Sequence, residues 1–225
     1  MTSRGVVAPR PASSVVVLRP GDPFEVLLVR RRGGGTFGDL VVFPGGTVDE
    51  SDRGRGGNFE DGAQRVAALR ELAEETGLLA LNHGFVTADG RGGEPLLEEL
   101  DESGDQLAIE SLVMISRWIT PEAMPYRFDT WFYLLAADDV PDVVIDEREL
   151  TGFQWAGPAE ALDRARAGEW RMILPTLTHL RWLSRRRSVE QALEEARGAD
   201  GRTLVLPRVE ADGSLVPVLL PEDGA

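Results

Sequence analysis

Two β-branched runs open the ordered part of the chain: SSVVVLRP from Ser13 to Pro20 and FEVLLVRR from Phe24 to Arg31. Gly21-Asp22-Pro23 lies between them, so the pattern predicts a hairpin. Arg32 to Asp39 is a glycine-rich loop, and the short apolar run Leu40 to Phe43 stops at Pro44-Gly45-Gly46. Thr47 to Asn58 is polar and rich in glycine, which predicts a loop. A helix is expected from about Phe59 to Ala63 onward, ending at Gly77 as its C′ residue. A second, acidic helix is expected within Glu94 to Leu107. Leu112 to Thr120, Phe128 to Ala137 and Gly152 to Ala156 have the composition of strands. Pro158 opens a short helix to about Ala167, and Leu174 to Ala196 is mostly helical in pattern. RTLVLPRV and SLVPVLL, around Ala211-Asp212-Gly213, predict a terminal hairpin.

Strands and helices alternate without a regular βαβ count, which predicts an α/β fold with a mixed sheet and helices on both faces. Residues 1–13 are expected to be a loose leader, 14–184 the main domain, and 185–225 a helix end and hairpin extension. A chain of 225 residues can bury a substantial core. It contains no Cys, which excludes disulfides, thiolate catalysis and zinc–cysteine sites. All 24 basic residues are Arg, which excludes Schiff-base chemistry and a P-loop lysine. The net charge of −14 argues against a nucleic-acid polymer as partner. A small phosphorylated substrate stays compatible, because a bound divalent cation reverses the local field. No apolar run approaches about 18 residues, so no membrane span is expected. The first residues carry no signal-peptide core, and a cytoplasmic location is the expectation.

The densest chemistry lies in RELAEETG, Arg70 to Gly77. On a helix, Glu71 and Glu75 are an i,i+4 pair with Glu74 beside them, and Arg70 reaches Glu74 one turn on. Ala68, Leu69, Leu72 and Thr76 point the other way, toward a core. Crowded carboxylates repel unless a hard cation sits among them, and Mg²⁺ or Mn²⁺ takes such oxygen ligands together with substrate phosphates. The alternative is a solvated charged face. Upstream, the FPGG turn at Phe43 to Gly46 can aim a backbone carbonyl at a metal.

Together these residues resemble the Nudix hydrolase family, whose signature is G-x5-E-x7-R-E-U-x-E-E-x-G-U, with U a bulky aliphatic residue. Gly46 fits the opening glycine, and Arg70 to Leu78 fits the second half. The resemblance implies a Nudix-type α/β/α sandwich and metal-dependent hydrolysis of a diphosphate linked to another moiety. It places Gly46, Glu71, Glu74 and Glu75 as metal ligands and Arg70 as an orienting group. Gly46 and Arg70 are ten residues farther apart than the signature allows. Counted back from Arg70, the first signature Glu falls on Gly62, with Glu60 and Asp61 as neighbouring substitutes.

Further stretches narrow the resemblance. WITPEAMPYRFDTWFYLLA (Trp118 to Ala136), ELTGFQWAGPAEAL and the late Pro-Thr segment are similar to the peroxisomal coenzyme A diphosphatase-like branch and its bacterial relatives. Coenzyme A or a derivative is therefore the leading substrate. ADP-ribose, NADH and dinucleotides are alternatives, as is a non-catalytic nucleotide-sensing role. Arg30, Arg31 and Arg32 read either as a solubilising strand end or as a clamp for substrate phosphates, with Arg30 and Arg32 as the candidate contacts, and Arg127 and Asp129 are further candidate substrate contacts. Glu147 and Glu149 are candidates for the general base. His83 and His179 read as structural or exposed. The terminal hairpin offers an edge for a second copy, so a homodimer is one open arrangement.

Overall fold

The computed structural model describes residues 7–34, 39–198, 203–210, 214–217 and 219–220. Its organising strand is β1 (Arg10–Arg19), which pairs in parallel along most of its length with β8 (Phe128–Ala136). The first half of β1 also pairs antiparallel with β4 (Gly45–Thr47), matching Ser13 with Gly46 and Ser14 with Gly45. Its far end pairs with β2 (Glu25–Arg31), at Leu18↔Val26 and Arg19↔Glu25. The expected first hairpin therefore exists, but its strands meet only next to the turn. β1 also begins at Arg10, inside the segment expected to be loose: the Arg10 N–H donates to the Arg127 carbonyl and Val48 to that of Pro11.

On one side, β2 carries β3 (Val41–Val42) and β9 (Leu150–Ala156). On the other, β8 pairs with β7 (Val113–Ile119), β7 in parallel with β10 (Leu204–Val205), and β10 with β13 (Leu219–Leu220). Two small ribbons lie apart: β5–β6 (Leu78–Leu81, Gly84–Thr87) and β11–β12 (Arg208–Val209, Leu215–Val216). The expected terminal hairpin is thus present as two short pairings. Its turn at 211–213 lies outside the described residues, as do residues 35–38 of the glycine-rich loop.

Strand alternation sorts the core into two layers. Val16 and Leu18 of β1 join Phe132 and Leu134 under α3 (Pro158–Arg166), α4 (Leu174–Leu183) and α5 (Val189–Gly198). Residues beyond 184 belong to this layer, since Val189, Ala192, Leu193 and Ala196 of α5 are buried in it with Val205 of β10. On the opposite face, Val15, Val17, Tyr133 and Leu135 pack on Ala68, Leu69 and Leu72 of α1 (Gly62–Thr76). The fold is therefore a mixed sheet between helical layers, as the α/β expectation had it.

Helix α1 ends as predicted, with Gly77 in the left-handed region at φ 71°. Its outer side is also covered. Ala73 packs with Leu79, Leu81, Leu96 and Leu100, which come from β5 and from α2 (Gly93–Ser103). The alternative of a solvated charged face is thus excluded for this side of the helix. α1 lies between two apolar layers, and its last glutamate, Glu75, is 2% exposed. Among the described residues, no helix is long and apolar enough to cross a membrane.

Candidate active site

The site begins at the Gly45-Gly46 turn, where β4 leans across β1. An added Cβ at Gly46 would lie 2.4 Å from the Glu71 carboxylate, and one at Gly45 would lie 2.3 Å from the Ser13 carbonyl oxygen. Only glycine lets this backbone run between a strand and a carboxylate. The Gly45 N–H donates to Glu75 Oε2 at 2.9 Å. Arg31, at the end of β2, donates through Nη1 to Glu75 Oε1 at 3.0 Å and to the Gly45 carbonyl at 3.3 Å. Its Nη2 lies 3.5 Å from Glu149. A carbonyl and two carboxylates thus converge on one cationic group.

Arg70 fixes the rest. It is 2% exposed, and its five N–H donors meet five acceptors. Nε and Nη2 hold Asp52 at 2.8 and 2.9 Å, Nη2 also reaches the Thr47 carbonyl, and Nη1 is shared by Glu71 and Glu74 at 2.9 and 3.0 Å. Asp52 is fully buried. It ends a short 3-10 turn, Glu50–Asp52, and its second oxygen also accepts the Asp49 N–H at 2.7 Å.

Asp52 was missed in the sequence, and neither of the neighbouring acids whose role was left open, Glu60 and Asp61, takes its place. Glu60 is exposed, and Asp61 is bound to Arg65 and the Tyr133 hydroxyl, away from Arg70. Counted forward from Gly46, the signature's first acid falls on residue 52, and a shorter acid stands there. The separation from Asp52 to Arg70 is 18 residues where the signature has eight. All ten extra residues therefore lie after Asp52 and leave the pair intact.

The three signature glutamates differ in setting. Glu71 lies against Gly46 and Glu75 against Gly45. Glu74 turns toward α2, where it accepts the Gly93 N–H at 2.6 Å. Burial pushes the Glu71 carboxyl up to about 7, against the pull of Arg70, with Glu74 and Glu149 adding to the rise. Burial likewise pushes Glu75 up to about 8, opposed by Arg31 and the Gly45 N–H. Burial works against the charge on Arg70, but Asp52, Glu71 and Glu74 outweigh it, so its pKa lies above the ordinary value. Among the described residues, no three acidic or histidine side chains form a ready-made metal cage, because each glutamate is engaged by an arginine or a backbone N–H.

Glu71 and Glu74 open into a cleft of about 760 Å³. Glu149 lines both this cleft and a second hollow behind α1, whereas Glu75 and Glu147 line only the second. Of the arginine run, Arg31 lines the cleft, and Arg30 and Arg32 do not. Arg32 instead donates to the Glu147 carbonyl at 2.9 Å. Of the three arginines read as a clamp, Arg30 and Arg32 are thus placed away from the cleft and Arg31 at it. Alternation of side chains along a strand corrects β8. Phe128, Thr130 and Phe132 face the cleft, while Asp129 points to the other side and holds Arg117 at 2.7 and 2.6 Å. Arg127 is buried and ties the Thr120 and Val7 carbonyls at 2.9 and 2.6 Å; it braces the chain and does not line the cleft. His83 is exposed. His179 is buried beside Ser116, 2.8 Å away, and burial pushes its pKa down to about 3. Both histidines lie outside the cleft lining.

Asp52→Ala should cost about 3 kcal/mol in urea unfolding, the scale for breaking a buried ion pair; a loss below about 1 kcal/mol would show that the pair does not hold the turn. The raised carboxyls give a pH prediction for metal-free protein. A group whose folded pKa lies above its unfolded value contributes stability at low pH and loses it as pH rises through the folded value. Melting temperature should therefore fall as pH climbs through about 7 to 8, and fall less in Glu75→Gln. Equal slopes in the two proteins would contradict the burial assignment.

Comparison with known proteins agrees with this geometry. The NUDIX domain family model matches residues 8–174. A putative nudix hydrolase 7 of Caenorhabditis elegans is 31% identical over 169 residues, which cover 71% of this chain and 56% of that protein. The human acyl-coenzyme A diphosphatase NUDT19 is 31% identical over 131 residues, 46% of this chain and 34% of that one. The chain thus spans between a third and just over half of these relatives. The crystal structure of a NUDIX hydrolase from Alicyclobacillus acidocaldarius superposes with a TM-score of 0.75 at 29% identity, covering 84% of this chain and 97% of that one. With the glycine turn, Arg70 and the three glutamates in place, the chain belongs to the Nudix hydrolase family.

Proposed function

We propose that the chain hydrolyses the diphosphate linkage of coenzyme A or one of its thioesters, with Mg²⁺ or Mn²⁺ as cofactor. The observation that carries the reading is the arrangement at the turn, where the Gly45 carbonyl and the Glu75 carboxylate meet the Arg31 guanidinium beside Glu71. A cation already stands where these oxygens converge, and an all-oxygen donor set suits a hard divalent ion. Glu71, Glu75 and a carbonyl of Gly45 or Gly46 would hold it, with Glu74 near by. When bound, the ion neutralises phosphate charge and acidifies an attacking water.

The chain's own residues do the remaining work. Arg70 keeps Glu71 and Glu74 in register with the turn, so the carboxylates need little rearrangement. Arg31 is 30% exposed and can turn from Glu75 to a phosphate, to which a guanidinium offers paired donors. Glu149 is exposed at 55% on the cleft side and is placed to take a proton from water; Glu147 faces away. The coenzyme A assignment is supported by the named activity of the human relative and by the apolar length of the cleft beyond the carboxylates.

The test is hydrolysis of coenzyme A, its thioesters, ADP-ribose, NADH and diadenosine polyphosphates with Mg²⁺ and with Mn²⁺. Coenzyme A or a thioester should be the best substrate, and Glu75→Gln should lower kcat/KM at least about a hundredfold, the scale for removing a group that stabilises developing charge. Nucleotide binding without turnover would favour a sensor, and preference for another diphosphate would remove the coenzyme A assignment.

A further inference from the structure

The cleft does not end at the carboxylates. From Gly46 on β4 it crosses the sheet over β1 and β8 to β7, with Ser14, Phe132 and Trp118 in its floor. Three strand crossings of about 4.8 Å make this path roughly 14 Å long. The floor becomes apolar as it leaves the glycine turn. Pro207 and Leu215 also line it.

Those two residues lie in the C-terminal segment, beyond the part of the chain matched to the family, residues 8–174. The segment is anchored, because Val205 is 2% exposed in the core and β10 pairs with β7 at Trp118. Past that anchor, the β11–β12 ribbon leaves Val209, Leu215 and Val216 exposed at 39%, 37% and 38%. Val209 and Leu215 are directly opposed, so they share one face. Arg208 and Glu210 pair with each other, which leaves that face without a charge turned to the cleft. An apolar ribbon lining a catalytic cleft has a use if the substrate brings an apolar tail to it.

We propose that the β11–β12 ribbon selects the acyl group: Leu215, with Val209 and Pro207, covers the tail of a coenzyme A thioester whose diphosphate lies at Gly45-Gly46. This rests on the substrate reading above. Covering one methylene is worth about a fourfold gain in affinity, so a few covered carbons separate long from short acyl groups.

The test is kcat/KM across unacylated coenzyme A and thioesters of increasing acyl length, for the wild type, Leu215→Asp and Leu215→Trp. In the wild type, kcat/KM should rise about fourfold per methylene over the first covered carbons and then level off. Leu215→Asp should flatten that rise and lower the ratio of long-chain to unacylated kcat/KM at least tenfold. Leu215→Trp should move the plateau to shorter chains. The same length profile in all three proteins would overturn the ribbon's role while leaving the substrate reading standing. Turnover of other diphosphates without any coenzyme A thioester would overturn both.

Discussion

Arg70 bonded to Asp52 is the contact on which the site depends. Carboxylates held out of water are costly unless hydrogen-bonded and neutralised. Here one buried guanidinium serves Asp52, Glu71 and Glu74 at once. Through Asp52 and the Thr47 carbonyl it also fastens the loop that follows the glycine turn. Glu75 is left to a second arginine, Arg31, and to the Gly45 N–H. The two arginines differ in exposure, and that difference sets their roles. The buried one is a fixed part of the framework, and the half-exposed one can leave its carboxylate for a ligand.

The same arrangement explains why the helix is covered on both sides. A solvated α1 would present its glutamates as an ordinary acidic face. α2 and β5 cover Ala73, while the Gly45-Gly46 turn and Arg31 close on Glu71 and Glu75, whose burial raises their carboxyls.

Much of this was legible in the sequence. The strand runs, the Gly77 helix end and the R-E-U-x-E-E-x-G match are local patterns, and local patterns survive tertiary packing. What was not legible depended on which face a side chain takes. The sequence does not say which of Arg30, Arg31 and Arg32 turns to the cleft, or that Phe128 and Thr130 line it where Asp129 does not, because a one-residue step along a strand reverses the face. Asp52 was hidden by the ten-residue insertion. Counting back from Arg70 carried the insertion into the spacing, whereas counting forward from Gly46 would have found the acid. The second cover over α1 was also invisible, since α2 and the ribbon reach it from farther along the chain.

The account's central claim is that the buried glutamates at the glycine turn form a cation site filled by Arg31 when no ion is bound. The most direct measurement is a crystal structure of the protein with Mn²⁺, with the ion located by its anomalous scattering. The account expects the ion between Glu71, Glu75 and a carbonyl of Gly45 or Gly46, with the Arg31 guanidinium withdrawn from Glu75. An ion bound elsewhere, or Arg31 still bonded to Glu75 and the Gly45 carbonyl beside a fully loaded site, would contradict it.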